Sequence, residues 1–136
     1  MRFIGRAALA AFFGVSLAGA GPALLYDCDI TDTRRGVDWI SPKVAIVIKE
    51  DGAVVVSDAI ILLVNKAPLE VRVTRNTDQK LALRWTLRNV ESTQNQITPA
   101  FDYALTLQKK TREISLRARP QGYSNRFSGK GVCTVY

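Results

Sequence analysis

From Tyr26 onward, apolar side chains recur at every second position. Leu69, Val71 and Val73 alternate with Glu70, Arg72 and Thr74. Leu81, Leu83, Trp85 and Leu87 alternate with Ala82, Arg84, Thr86 and Arg88. Phe101, Tyr103, Leu105 and Leu107 alternate with Asp102, Ala104, Thr106 and Gln108, and Ile114, Leu116 and Ala118 with Ser115, Arg117 and Arg119. A strand turns successive side chains to opposite faces, so this order predicts antiparallel strands with one dry face and one wet face. Turn-forming residues separate the runs at Asp51-Gly52, Asn65 to Pro68, Asn76 to Gln79, Glu91 to Pro99 and Pro120 to Asn125. Strands are expected at 25–32, 36–40, 43–50, 53–64, 69–76, 80–90, 99–109, 112–119 and 126–135, with 53–64 either one long bent strand or two short ones. No helical periodicity is visible in this part of the chain.

Two cysteines constrain how the strands assemble. Cys28 lies in the first expected strand and Cys133 in the last. A disulfide holds its two Cα atoms within about 7 Å, so pairing them brings the ends of the meander together. A meander whose ends meet is a closed barrel, which also removes open sheet edges. The expected fold is all-β: an eight- or nine-stranded up-and-down antiparallel barrel closed by Cys28–Cys133, with a two-sheet sandwich as the alternative. Gly129 and Gly131 share a face with Cys133 and would let the closing strand bend.

The first twenty residues depart from this pattern. Arg2 and Arg6 precede the apolar run Ala7 to Leu17, and Ala18-Gly19-Ala20 follows it. This is the layout of a secretory signal peptide, with cleavage after Ala20 or, second, after Ala23. The chain then divides into a signal at 1–20 and one domain at 21–136, and the protein is exported to a periplasmic or extracellular space. Export agrees with an even cysteine count. No segment of the remaining chain is long and apolar enough for a helical membrane span.

Composition narrows the chemistry. The 136 residues carry 19 Lys+Arg, 12 Asp+Glu and no His, for a net charge of +7 that falls by two when Arg2 and Arg6 are removed. Without His there is no Ser-His-Asp or Cys-His nucleophile pair and no imidazole-ligated metal. Asp27, Asp29 and Asp32 cluster, but they lack the Gly and terminal Glu of a calcium loop, so no metal or other cofactor is expected. No nucleophile-elbow, P-loop or dinucleotide motif is present. The expectation is a protein that is not an enzyme.

The arginines are the most suggestive polar residues. Pairing 69–76 with 80–90 can oppose Glu70 to Arg88 or Arg72 to Arg84, and the first avoids facing like charges. A two-residue turn at Lys110-Thr111 places Asp102 opposite Arg119. Pairing Trp85 with Tyr103 puts Arg88 diagonal to Asp102. Glu70, Arg88, Asp102 and Arg119 then form an ion-pair mesh. Arg84 and Arg117 are left flanking Ala104, about 10 Å apart, with Arg72 diagonal to Arg84. These three form a candidate strip for a phosphate, sulfate or carboxylate, or for an acidic partner. Nucleic acid is a poor fit, because the aromatic residues lie on the inward parity.

Residues 44–48 and 53–64 are apolar in both phases. Val44, Ile46, Ile48, Val55, Ile60, Ile61, Leu62 and Leu63 therefore form a candidate apolar interface with a protein partner or a second copy. The leading functional expectation is an interaction or inhibitor-like module. The second is a carrier of a small apolar or amphipathic ligand in the barrel. The third is a carboxylate-based hydrolase, which requires two acids converging in a cleft.

Overall fold

The computed structural model describes residues 23–34, 38–91 and 97–136. The signal reading at 1–20 and positions 36 and 37 of the expected second strand lie outside the described residues. Nine strands and one short helix follow in chain order: β1 (Leu24–Arg34), β2 (Lys43–Ile48), β3 (Val54–Asp58), α1 (Ala59–Asn65), β4 (Leu69–Glu70), β5 (Arg72–Asn76), β6 (Lys80–Glu91), β7 (Ile97–Gln108), β8 (Glu113–Pro120) and β9 (Phe127–Val135).

All strand pairs are antiparallel, and the sheet order is β4-β3-β2-β1-β9-β8-β7-β6-β5. Its two end strands, β4 and β5, are consecutive in the chain and separated by Val71 alone. Val71 donates its N–H to the Val54 carbonyl at 3.0 Å. One stretch of chain thus leaves β3 and joins β6, which brings the sheet nearly to closure as a barrel. The register shows the stagger this requires. From Leu24, pairing leads through Ile48 to Val54 and its partner Val71. From the next residue, Arg72, it continues through Arg84, Ala104, Arg117 and Ser128 to Arg34, at the far end of β1. A closed barrel of tilted strands needs such a shear.

Cys28 and Cys133 are directly opposed on β1 and β9 and form a disulfide with a Cα–Cα distance of 3.9 Å. The expected closing pair is therefore present. Gly131 makes the close approach of these strands possible. A Cβ there would overlap the Asp29 carbonyl, beside the irregularity between Ile30 and Asp32. At Gly129 a Cβ would come within 2.6 Å of the Ile30 side chain.

The period-two order holds as read for β6, β7 and β8, whose inward residues Leu83, Trp85, Phe101, Tyr103, Leu105, Leu107 and Leu116 are buried. Trp85 stacks on Tyr103 with ring centroids 5.4 Å apart. Tyr26, Cys28, Val44, Ile46, Val54 and Val56 complete the interior from the other side. The outward positions of β5 to β8 carry Arg72, Arg84, Thr86, Arg88, Asp102, Arg117 and Arg119. That is the reverse of a lipid-facing barrel, whose outer belt is apolar.

Three expectations need correction. Of the strand expected at 36–40, the described residues 38–40 make a turn instead. Trp39 stacks on Phe101 at 4.5 Å, Ile40 is buried, and the Tyr103 hydroxyl donates to the Trp39 carbonyl at 3.0 Å. Aromatic packing at this end outweighs one more ladder.

The run 53–64 is a strand only to Asp58, after which α1 begins. Asp58 caps the helix, accepting the Ile61 N–H at 2.7 Å, and Lys66 closes it with a left-handed φ of 62°. Capping decides the conformation here because a run that is apolar in both phases carries no period of its own.

Finally, Glu70 does not face Arg88. It pairs with Val55 on β3, while Arg72 faces Arg84. Repulsion between solvated like charges is weak and screened. Burial of Val71 and Leu83 and the partner switch at Val71 set this register instead.

Candidate functional site

The register places Arg72, Arg84, Ala104, Arg117 and Ser128 in one row across β5 to β9. From Arg72 to Arg117 the row covers three strand spacings, about 14 Å. Two features make it a candidate site. Ala104 has almost no side chain, so the long side chains on either side border a hollow rather than a ridge. Second, the face lacks the acids that would neutralise it. A groove of about 480 Å³ is lined by Arg84, Asp102, Ala104, Arg117, Arg119, Arg126 and Ser128, with neighbouring backbone positions. A second hollow of about 420 Å³ adjoins it between Arg72, Arg84, Thr86 and Asp102.

Asp102, the one carboxylate in these two hollows, is engaged with neutral groups. The Thr86 hydroxyl donates to its Oδ1 at 2.7 Å, and the Gln121 Nε2 donates to the same oxygen at 3.0 Å. Asp102 does face Arg119 in register, as expected, but no ion pair joins them. The expected mesh of Glu70, Arg88, Asp102 and Arg119 is therefore not formed. Among the described residues the salt bridge present is Lys43–Asp29, at 2.9 Å on β1 and β2. Contact with Asp29 raises the Lys43 pKa. The groove thus contains four exposed guanidiniums, each a fixed planar fork of N–H donors.

The strip read from sequence, Arg72, Arg84 and Arg117, is brought together. Arg119 and Arg126 were missed. The expected mesh pairs Arg119 with Asp102, and Arg126 lies just before β9, where alternation gives no facing. Its neighbour Phe127, with parity that can be read, was the available signal.

The candidate apolar interface is divided by the wall of the barrel. Val44, Ile46 and Ile61 point inward and have no exposed surface, so they present nothing to a partner. Ile48, Val55 and Ile60 are half-buried, and Leu62 and Leu63 are exposed on α1. The reason is parity: strand residues with even numbers in β2 and β3 face the core, and the helix turns Ile61 toward it.

Acids near a cleft are the remaining candidate chemistry. Asp32 and Glu113 border a groove of about 570 Å³. Lys130 stands on the intervening strand, paired with Asp32, and all three side chains are exposed. Inside the barrel, Asp58 is buried and its pKa is raised by loss of solvent, an effect opposed by N–H groups of Ile61 and Ile60. Tyr103 is pushed above its ordinary range by burial, with Asp58 adding to the effect. Nothing in the structure explains why the buried Trp85 Nε1 has no hydrogen-bond partner.

Compared with protein-family models, curated proteins and solved structures, the chain matches none.

Proposed function

We propose that this is an exported, non-enzymatic binding protein that uses its arginine face to engage an acidic protein partner, in the manner of an interaction or inhibitor-like module. The observation that carries the reading is the row Arg72, Arg84 and Arg117 around Ala104, joined by Arg119 and Arg126 and, among the described residues, balanced by no ion-paired acid. Guanidinium forks bind carboxylates in pairs of parallel hydrogen bonds, so such a row favours a partner that presents several carboxylates. Among the described residues the barrel interior is occupied by the buried side chains of Leu83, Trp85, Phe101, Tyr103, Leu105 and Leu116, which weighs against a carrier, because ligand sites need several hundred Å³ of open volume inside. Export rests on the N-terminal sequence pattern and is supported by the disulfide.

The test is fluorescence anisotropy of a labelled glutamate-rich peptide. The reading expects binding that weakens with salt. It also expects a loss of about tenfold or more for each of Arg84→Ala and Arg117→Ala, since a charge-assisted hydrogen bond contributes about 1.5–3 kcal/mol. Equal binding by wild type and the double variant would overturn it.

A further inference from the structure

The arginine groove has a continuation. From Ala104, Arg117 and Ser128, the next outward positions on β7, β8 and β9 are Thr106, Ser115 and Lys130, and these line the groove that Asp32 and Glu113 border. The two grooves thus lie end to end on the outer face of the same three strands. One further step leads to Gln108 and Glu113, which are paired in register. From the Ala104 row to this row is about 13 Å along the strands. The floor stays low on the way: Ala104, Thr106, Ser115 and Ser128 are small and half-buried, while Arg84, Arg117, Glu113 and Lys130 are exposed beside them. Charge changes sign along the same path. The first groove sets the guanidiniums of Arg84, Arg117, Arg119 and Arg126 against the single carboxylate of Asp102. The second sets the carboxylates of Asp32 and Glu113 against the single ammonium of Lys130. None of these charged groups is in a salt bridge among the described residues.

We infer that the two grooves form one recognition trough, which takes an extended segment of the acidic partner lying along β7 and β8 with its charge unevenly placed. Carboxylates lie at the end over Arg84 and Arg117, uncharged polar residues follow, and a basic residue lies at the end over Asp32 and Glu113. This rests on the proposed acidic partner and adds the path and charge order of its segment. A path along the strands is favoured over one across them, because Arg84 and Arg117 stand on either side of Ala104 in the crosswise direction. An extended chain advances about 3.3 Å per residue, so about four residues separate the last carboxylate from the basic residue. Between them, Thr106, Gln108 and Ser115 offer both donors and acceptors to the backbone of the segment. A uniformly acidic segment gains the arginine contacts but brings carboxylates against Asp32 and Glu113. A segment with its basic residue among its acids fits neither end.

Fluorescence anisotropy at low salt, with labelled peptides of one composition, tests the charge order. One peptide has glutamates at one end, then serines, then a lysine about four residues beyond the last glutamate, and it is made in both chain directions. The control has the lysine among the glutamates. In one of the two directions the ordered peptide should bind the wild type about two- to fivefold tighter than the control, the range of exposed ion pairs. Asp32→Lys with Glu113→Lys should loosen that ordered peptide and tighten the uniformly glutamate-rich one. Opposite signs are the signature, since a general gain of positive charge would tighten both net-acidic peptides. Asp32→Asn with Glu113→Gln should remove the preference without reversing it. All four substitutions are at exposed positions, and circular dichroism checks the fold. Equal binding of ordered and control peptides overturns the inference, as does a charge reversal that shifts both peptides alike. Salt-sensitive binding of the glutamate-rich peptide, lost in the arginine variants, would in that case still uphold the proposed function. No binding by any of the peptides overturns both.

Discussion

Helix α1 depends on one carboxylate. Asp58 ends β3, is only 5% exposed, and accepts the Ile61 N–H at 2.7 Å. Asp58→Ala removes that acceptor. An ordinary cap is worth about 1 kcal/mol, but this N–H is buried and cannot turn to water, so the loss should reach about 2–3 kcal/mol. Asp58→Asn keeps a cap of equal quality and removes a charge that burial disfavours. The Asn variant should therefore equal or exceed the wild type in stability at neutral pH. The pH dependence follows from the raised pKa of Asp58. Between its ordinary value of 3.8 and the folded value, the folded state binds more protons than the unfolded state, so stability falls as pH rises through that window. Acidification should thus let the wild type catch up with Asp58→Asn. Urea denaturation followed by Trp fluorescence, at neutral pH and again at about pH 4, reads both effects. The reasoning fails if Asn is as damaging as Ala, or if the gap between Asn and wild type widens on acidification.

Gly131→Ala forces a Cβ into the Asp29 backbone and should cost about 3 kcal/mol or more, or prevent folding. Gly122→Ala meets open space and has only its positive φ of 84° to contend with, so calorimetry should show a loss of about 1–2 kcal/mol. The disulfide closes a loop across a sequence separation of 105, so reduction should cost up to about 4.7 kcal/mol, measured as the change in urea midpoint with a phosphine reductant. Arg84→Ala and Arg117→Ala break no ion pair among the described residues and should leave stability within about 0.5 kcal/mol of wild type in the same urea experiment.

Legibility in the sequence followed the clarity of the local pattern. Strands β6 to β8 alternate cleanly over 81–87, 101–107 and 114–118. Their pairings, including Trp85 with Tyr103 and Asp102 with Arg119, could be read before any coordinates. Those pairings also place Arg84 and Arg117 around Ala104. The cysteines supplied the long-range link between β1 and β9. Reading failed where two phases were equally apolar, as in 53–64, because the turn into α1 is decided by the Asp58 cap and by what Ile61 can bury. It failed again at 69–76. There one stretch serves two partners, and the choice between Glu70–Arg88 and Arg72–Arg84 turned on core packing rather than on surface charge. The ion-pair mesh failed for a related reason: register brings Cα atoms together, but the side chains then choose among all available partners, and Asp102 is taken by Thr86 and Gln121.

Where an acidic ligand touches the barrel decides most directly whether the arginine row recognises it. Amide shifts of isotope-labelled protein, followed through a titration with the glutamate-rich peptide, answer this. The largest changes should fall at Arg72, Arg84, Ala104, Arg117 and Ser128, and those at Leu25, Val47 and Val55 should stay small. Changes centred on β1 to β3, or none at any position, would contradict the proposal that the arginine row is the recognition surface.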